Sequence, residues 1–143
     1  MPTTDVSLYG DKSLPEWDSE WDLIPEGLRA FQDNLKYLVG LYRISLNKQR
    51  ILIGVGTAKQ GALAKRLSDY RRPSPSGRRC RSGEYIYENR HRLKVEVLVL
   101  GEAGDREAVR LAKQLKWGMI ELHKPTEQRD LSVVAKLKPV GRL

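Results

Sequence analysis

A single cysteine, Cys80, leaves the 143-residue chain without an internal disulfide, so the sequence suits a reducing compartment. No stretch approaches the ~20 consecutive apolar residues of a membrane helix. The N-terminus lacks the basic-then-apolar pattern of a secretion signal. The expectation is a protein of the cytoplasm, or nucleocytoplasmic in a eukaryote, with no membrane partner. Histidine is scarce too: His91 lies between Arg90 and Arg92 and reads as a surface residue, and His123 falls near a helix end, where it suits the helix dipole. A lone histidine in a basic run is not a metal site. Internal repeats are missing, as is the glycine-rich loop that cradles nucleoside triphosphates.

Negative charge is short in one part of the chain only. Residues 1–35 hold eight acids against Lys12 and Arg29, a balance of −6, so the remainder carries +14 of a total of +8. A core that basic attracts polyanions, of which nucleic acid is the commonest. The hydrophobic content of 40% and the length are those of one soluble domain with a real core.

Periodicity places the elements. Residues 39–45 alternate as a half-buried strand, Asn47 to Gln49 supply turn chemistry, and Ile51-Leu52-Ile53 is a short β-branched run, together a hairpin ended by Gly54 and Gly56. Ala62, Leu63, Ala64 and Leu67 then suit a helix whose polar face carries Lys65, Arg66 and Tyr70. Lys94 to Leu100 alternates as a central strand, and Asp105 to Leu122 reads as a helix ending near Pro125, with Gly118 marking a close approach. Upstream, Pro25 followed by Leu28, Phe31, Leu35 and Leu38 predicts an extra amphipathic helix. Residues 1–13 are patternless and predict a mobile arm. Glu84 to Tyr87 predicts a short strand with Tyr85 and Tyr87 on one side, and Ser132 to Val140 a candidate edge strand.

The series Gly40-Leu41-Tyr42, then Gly54-Val55-Gly56 followed by Thr57-Ala58-Lys59, then Arg66 and Tyr70 on the next helix, resembles the GIY-YIG nuclease superfamily over roughly Leu38 to Pro125. The resemblance implies an α/β (α+β) fold, a small domain with a central three-stranded antiparallel sheet flanked by helices. It casts Tyr42, Arg66 and Tyr70 as the catalytic set. In a complete site the tyrosine activates water, the arginine holds the scissile phosphate, and a Mg or Mn ion on a glutamate stabilises the leaving oxygen. Arg66 and Tyr70, four residues apart, share a helix face and so one phosphate.

Two positions depart from that pattern. The second tyrosine of the family falls on Gly54, or on Leu52 in a shifted register, and neither has a hydroxyl. With Met119-Ile120 and Pro125 as landmarks, the metal-binding glutamate falls on Lys116. Its helical neighbours Ala112, Lys113, Met119 and Ile120 offer no carboxylate, while Glu107 and Glu121 lie elsewhere round the helix. The set therefore contains no metal ligand, and an ammonium at the metal's place suits metal-free phosphate binding.

Between Lys65 and Arg81 stand seven basic residues and one acid, Asp69. Thr57, Lys59, Lys65, Arg71, Arg72, Arg78, Arg79, Arg81 and Lys116 are the candidate nucleic-acid contacts, suited to phosphates rather than base edges. Ser74 and Ser76 in this loop are candidates for modification that would subtract from its charge. The chain divides into an acidic arm with Trp17 and Trp21 (1–26), the GIY-YIG-like domain (27–125) and a basic tail (126–143). The tryptophans predict a flap packed on the domain; the alternatives are an arm that covers the basic face as a nucleic-acid mimic or docks a protein partner. Three functions stay open at this point: a DNA- or RNA-binding protein with a degenerate nuclease site, an active metal-dependent endonuclease, and a protein-interaction module.

Overall fold

The computed structural model describes residues 8–71 and 81–126. Its centre is a hairpin. Strand β4, Leu38–Leu46, and strand β5, Gln49–Gly56, pair antiparallel from Gly40↔Gly56 to Leu46↔Gln49. The two-residue turn between them puts Asn47 at φ 58°, a left-handed conformation that asparagine tolerates better than most residues. On the other side of β4 runs β6, Lys94–Glu102, also antiparallel.

These are the three strands expected, but the sheet has four. Asp22–Ile24, β3, pairs antiparallel with the outer edge of β6, giving the order β3-β6-β4-β5. A segment assigned to the acidic arm thus completes the sheet. Residues 8–13, expected to be patternless, form a small hairpin of β1 (Leu8–Tyr9) and β2 (Lys12–Ser13). They lead into α1, Leu14–Asp18, whose N-cap Ser13 and Glu16 form a reciprocal capping box.

The extra helix expected after Pro25 does not form. Gly27 sits at φ 59° and breaks the pattern in what would be its first turn, and a 3₁₀ turn at Asp33–Leu35 is all that follows. Leu28 and Leu35 are buried and Phe31 is exposed, so the helical spacing reflects two separate anchors. The strand expected at Glu84–Tyr87 is also corrected: Arg81–Glu88 is helix α3, with Ile86 buried between Tyr85 and Tyr87. A four-residue apolar alternation cannot discriminate strand from helix. The expected edge strand at 132–140 lies outside the described residues.

Helix α2, Ala62–Arg71, packs on one sheet face with α3, where Leu63, Leu67, Tyr70 and Ile86 meet Tyr42, Ile44, Leu52, Val95 and Val97. Helix α4, Arg106–His123, covers the other face through Ala108, Ala112, Leu115 and Met119, a stripe at helical spacing set against Val39, Leu41, Ile53 and Leu98. Asp105 caps α4, its Oδ1 accepting from the amides of Glu107 and Ala108 at 3.0 and 3.2 Å. Lys124 ends it in the left-handed conformation. The two helices therefore flank the outer strand β5 from opposite sides of the sheet. Gly118 meets the expected close approach: an added Cβ would lie 2.9 Å from the Tyr9 hydroxyl.

The tryptophan segment is part of the fold. Trp17 is buried against α4 with its indole N–H donating to the Tyr9 carbonyl at 2.6 Å. Trp21 lies over the Arg43 guanidinium, 4.5 Å from ring centroid to Cζ. Beneath it Arg43, on β4, makes 2.9 Å contacts from Nε and Nη2 to Glu96 on β6. Asp18 Oδ1 accepts from the Trp21 indole at 2.9 Å and from His123 Nε2 at 2.7 Å. That nitrogen cannot also accept from Arg43, whose Nη1 is 3.2 Å away, so the short contact to a carboxylate assigns its proton to Nε2.

Candidate functional site

At the outer edge of β5, where α2 and α4 approach one another, lies a pocket of about 410 Å³. Tyr42, Arg66, Tyr70 and Lys116 all line it, with Gly54, Thr57 and Ala58 forming its strand-side wall. Four residues spread over 75 positions of sequence, on one strand and two helices, are thus brought together.

Each is positioned by an element. Tyr42 is buried on the sheet face beneath α2, directly opposite Gly54 in the β4–β5 register. A Cβ at Gly54 would collide with the Tyr42 ring and hydroxyl. The absence of a side chain at Gly54 is what allows the phenol to lie across β5 and reach Tyr70. The two hydroxyls are 2.8 Å apart, and the rings meet edge-on with centroids 5.9 Å apart. Arg66 and Tyr70, one turn apart on α2, both line the pocket.

The electrostatics follow from this packing. Arg66 is held above the ordinary arginine value, first by the charge that Tyr42 would carry as a phenolate, which outweighs burial, with Tyr70, a hydrogen bond to Tyr42 and Asp69 adding to it. Lys116 is pushed the other way, below the ordinary lysine value, first by burial and then by the charges of Arg66 and Lys113. Two cations from two helices thus sense each other across a partly open pocket. A bound anion would relieve that repulsion.

The remaining expected contacts divide. Thr57 lines this pocket and a neighbouring one, and Lys59 lines only the neighbour. Lys65 lies outside both, its Nζ 3.5 Å from Asp69 Oδ1, and Arg71 closes α2 away from the pocket. Arg81 begins α3. Arg72, Arg78 and Arg79 lie outside the described residues, as do Ser74 and Ser76.

What the arrangement can do is bounded by its donors. Two phenols, a threonine hydroxyl, a guanidinium and an ammonium offer hydrogen bonds and positive charge to a tetrahedral anion. Magnesium and manganese require hard oxygen ligands, above all carboxylates. Among the described residues the pocket lining has none, and has Lys116 instead, so these residues do not fit a divalent cation. Among the described lining residues neither a histidine nor a carboxylate offers a general base, which leaves that role to the phenols of Tyr42 and Tyr70.

Sequence reasoning passed over Trp117, Arg106, Arg110 and Lys113. Their signal lay in helical geometry, since all four fall opposite the Ala108, Ala112, Leu115 and Met119 stripe. Comparison with known proteins found no matching family model, no matching curated protein and no matching solved structure.

Proposed function

We propose that this chain binds nucleic acid through a GIY-YIG-like domain whose catalytic pocket has become a metal-independent phosphate site. Arg66 and Lys116 neutralise a backbone phosphate, and the Tyr42 and Tyr70 hydroxyls, with Thr57, orient it. The observation that carries the reading is the meeting of Arg66 and Lys116, from opposite sides of the sheet, over a hydroxyl pair in a pocket with no carboxylate among its described lining residues. The surplus of +14 beyond residue 35 supplies the long-range attraction. DNA and RNA share the phosphodiester that this pocket would recognise.

Phosphodiester cleavage needs charge stabilisation on the leaving oxygen and an activated water, and loss of one preorganised electrostatic partner typically costs about 3–4 kcal/mol of transition-state stabilisation. Without a metal ligand among the described lining residues, the pocket suits holding a phosphate over cutting one. The test is incubation of the purified protein with supercoiled plasmid and a short labelled single strand, in Mg²⁺, in Mn²⁺ and in EDTA. The expected result is salt-sensitive binding under all three conditions, weakened in Arg66→Ala, with the plasmid intact. Metal-dependent nicking that is lost in both Tyr42→Phe and Arg66→Ala would overturn the binding-only reading and make the chain an active endonuclease.

A further inference from the structure

Next to the phosphate pocket, sharing Thr57 with it, lies a second pocket of about 460 Å³. Four cations line it: Lys59 from the β5–α2 loop, and Arg106, Arg110 and Lys113 from successive turns of α4. Among the described residues no carboxylate is in the lining. The same helix face continues to Trp117, which is 62% exposed while Trp17 is buried in the core. An exposed indole on a soluble surface forfeits burial of one of the largest apolar side chains. Here it stands beside the first pocket, with Lys116 Nζ 4.6 Å from its ring centroid.

We propose that this face of α4 is a binding site for single-stranded nucleic acid, with Arg106, Arg110, Lys113 and Lys59 holding backbone phosphates and Trp117 stacking a base. The inference rests on the phosphate-pocket reading and extends it to a strand. From Arg106 to Trp117 the helix rises ~16 Å, which matches roughly five nucleotides of a strand stacked at ~3.4 Å each. Lys116 is depressed first by burial and then by the charges of Arg66 and Lys113, which sets the cations of the two pockets within electrostatic reach of one another. A basic groove combined with an aromatic platform is the chemistry of single-strand binding, because a paired base has no face to offer an indole. Duplex binding would use the arginines and leave Trp117 idle. Two acids border the track. Glu107 Oε2 is 3.5 Å from Arg110 Nη1 in a pair open to solvent, weak enough for a phosphate to displace. Glu121, one turn beyond Trp117, is engaged by Lys124 at 3.9 Å and ends the stripe.

The experiment titrates the full chain against fluorescein-labelled 12-mers of dT and of U, and a blunt 12-bp duplex, over a range of salt. The variants are Trp117→Ala, Trp117→Phe, the triple Arg106→Ala/Arg110→Ala/Lys113→Ala, and Arg66→Ala. All four α4 side chains are exposed, so melting curves should be unchanged. Trp117→Ala is expected to weaken single-strand binding roughly ten- to hundred-fold, with Trp117→Phe retaining most of the affinity. The triple variant is expected to lower the slope of log affinity against log salt by about 2, at ~0.7 per cation lost on a single strand. Loss with either the dT or the U strand supports the proposal, and the tighter strand names the sugar. Wild-type affinity in the α4 variants, with Arg66→Ala weakened, overturns the track and leaves the pocket. Wild-type affinity in every variant overturns both. Duplex binding tighter than either strand and indifferent to Trp117 also overturns the proposal.

Discussion

Tyr42 and Gly54 face each other across the β4–β5 ladder, and the pair accounts for a feature that the sequence presented only as a loss. Where the resembled family carries a tyrosine, a glycine opens the room in which the Tyr42 ring lies and its hydroxyl meets Tyr70 at 2.8 Å. Gly54→Ala would force the phenol off its place. The expected cost is about 1–3 kcal/mol in urea unfolding, as for overpacking elsewhere, together with weaker binding of a labelled strand; unchanged stability and affinity would contradict this arrangement. Arg66 and Tyr70 were legible because an interval of four residues on a helix fixes a shared face. Lys116 was legible only through the register of the resembled motif. Trp117 reads in the sequence as an interruption of the helix's apolar surface, and its angle to the Ala108–Met119 stripe is what places it on the exposed basic face.

Among the elements, the long periodic ones were read within a residue or two: β4, β6, α2 and α4. Those that failed were decided by tertiary partners. β3 is three residues long and exists because β6 offers an unpaired edge, and the helix after Pro25 yields to the left-handed turn at Gly27. The N-terminal elements are fastened by a cluster no local pattern announces, in which Asp18 of α1 joins His123 of α4, Arg43 of β4 and Trp21. Burial pushes the Asp18 carboxyl up, but hydrogen bonds from His123 and Trp21 and the charges of His123 and Arg43 outweigh it and leave it below the ordinary aspartate value. A carboxyl depressed on folding lends stability that is complete above its unfolded pKa, about 3.9, and that disappears as pH falls through the folded value. Unfolding free energy is therefore expected to drop below about pH 4, and Asp18→Asn to be less stable than wild type at pH 6 but to lose less between pH 6 and pH 3. Parallel pH profiles for the two proteins would contradict this role.

At the scale of the molecule, the charge asymmetry resolves into separate surfaces. Among the described residues, none of the acidic segment before residue 27 lines the pocket at the β5 edge; its tryptophans and Asp18 pack toward α4 and Arg43 on the opposite sheet face from Tyr42. The basic edge of β5, flanked by α2 and α4, holds Arg66 and Lys116 in its pocket, uncovered among the described residues. The most direct test of the account is the affinity of the full chain for a labelled 12-mer single strand in EDTA and in Mg²⁺, for wild type and Lys116→Glu. The account predicts that wild-type binding is the same in both buffers and that charge reversal weakens it in EDTA at least tenfold, the scale of one charge-assisted hydrogen bond. Wild-type binding that collapses in EDTA, or is indifferent to Lys116→Glu, would contradict the claim that an ammonium occupies the place of a metal.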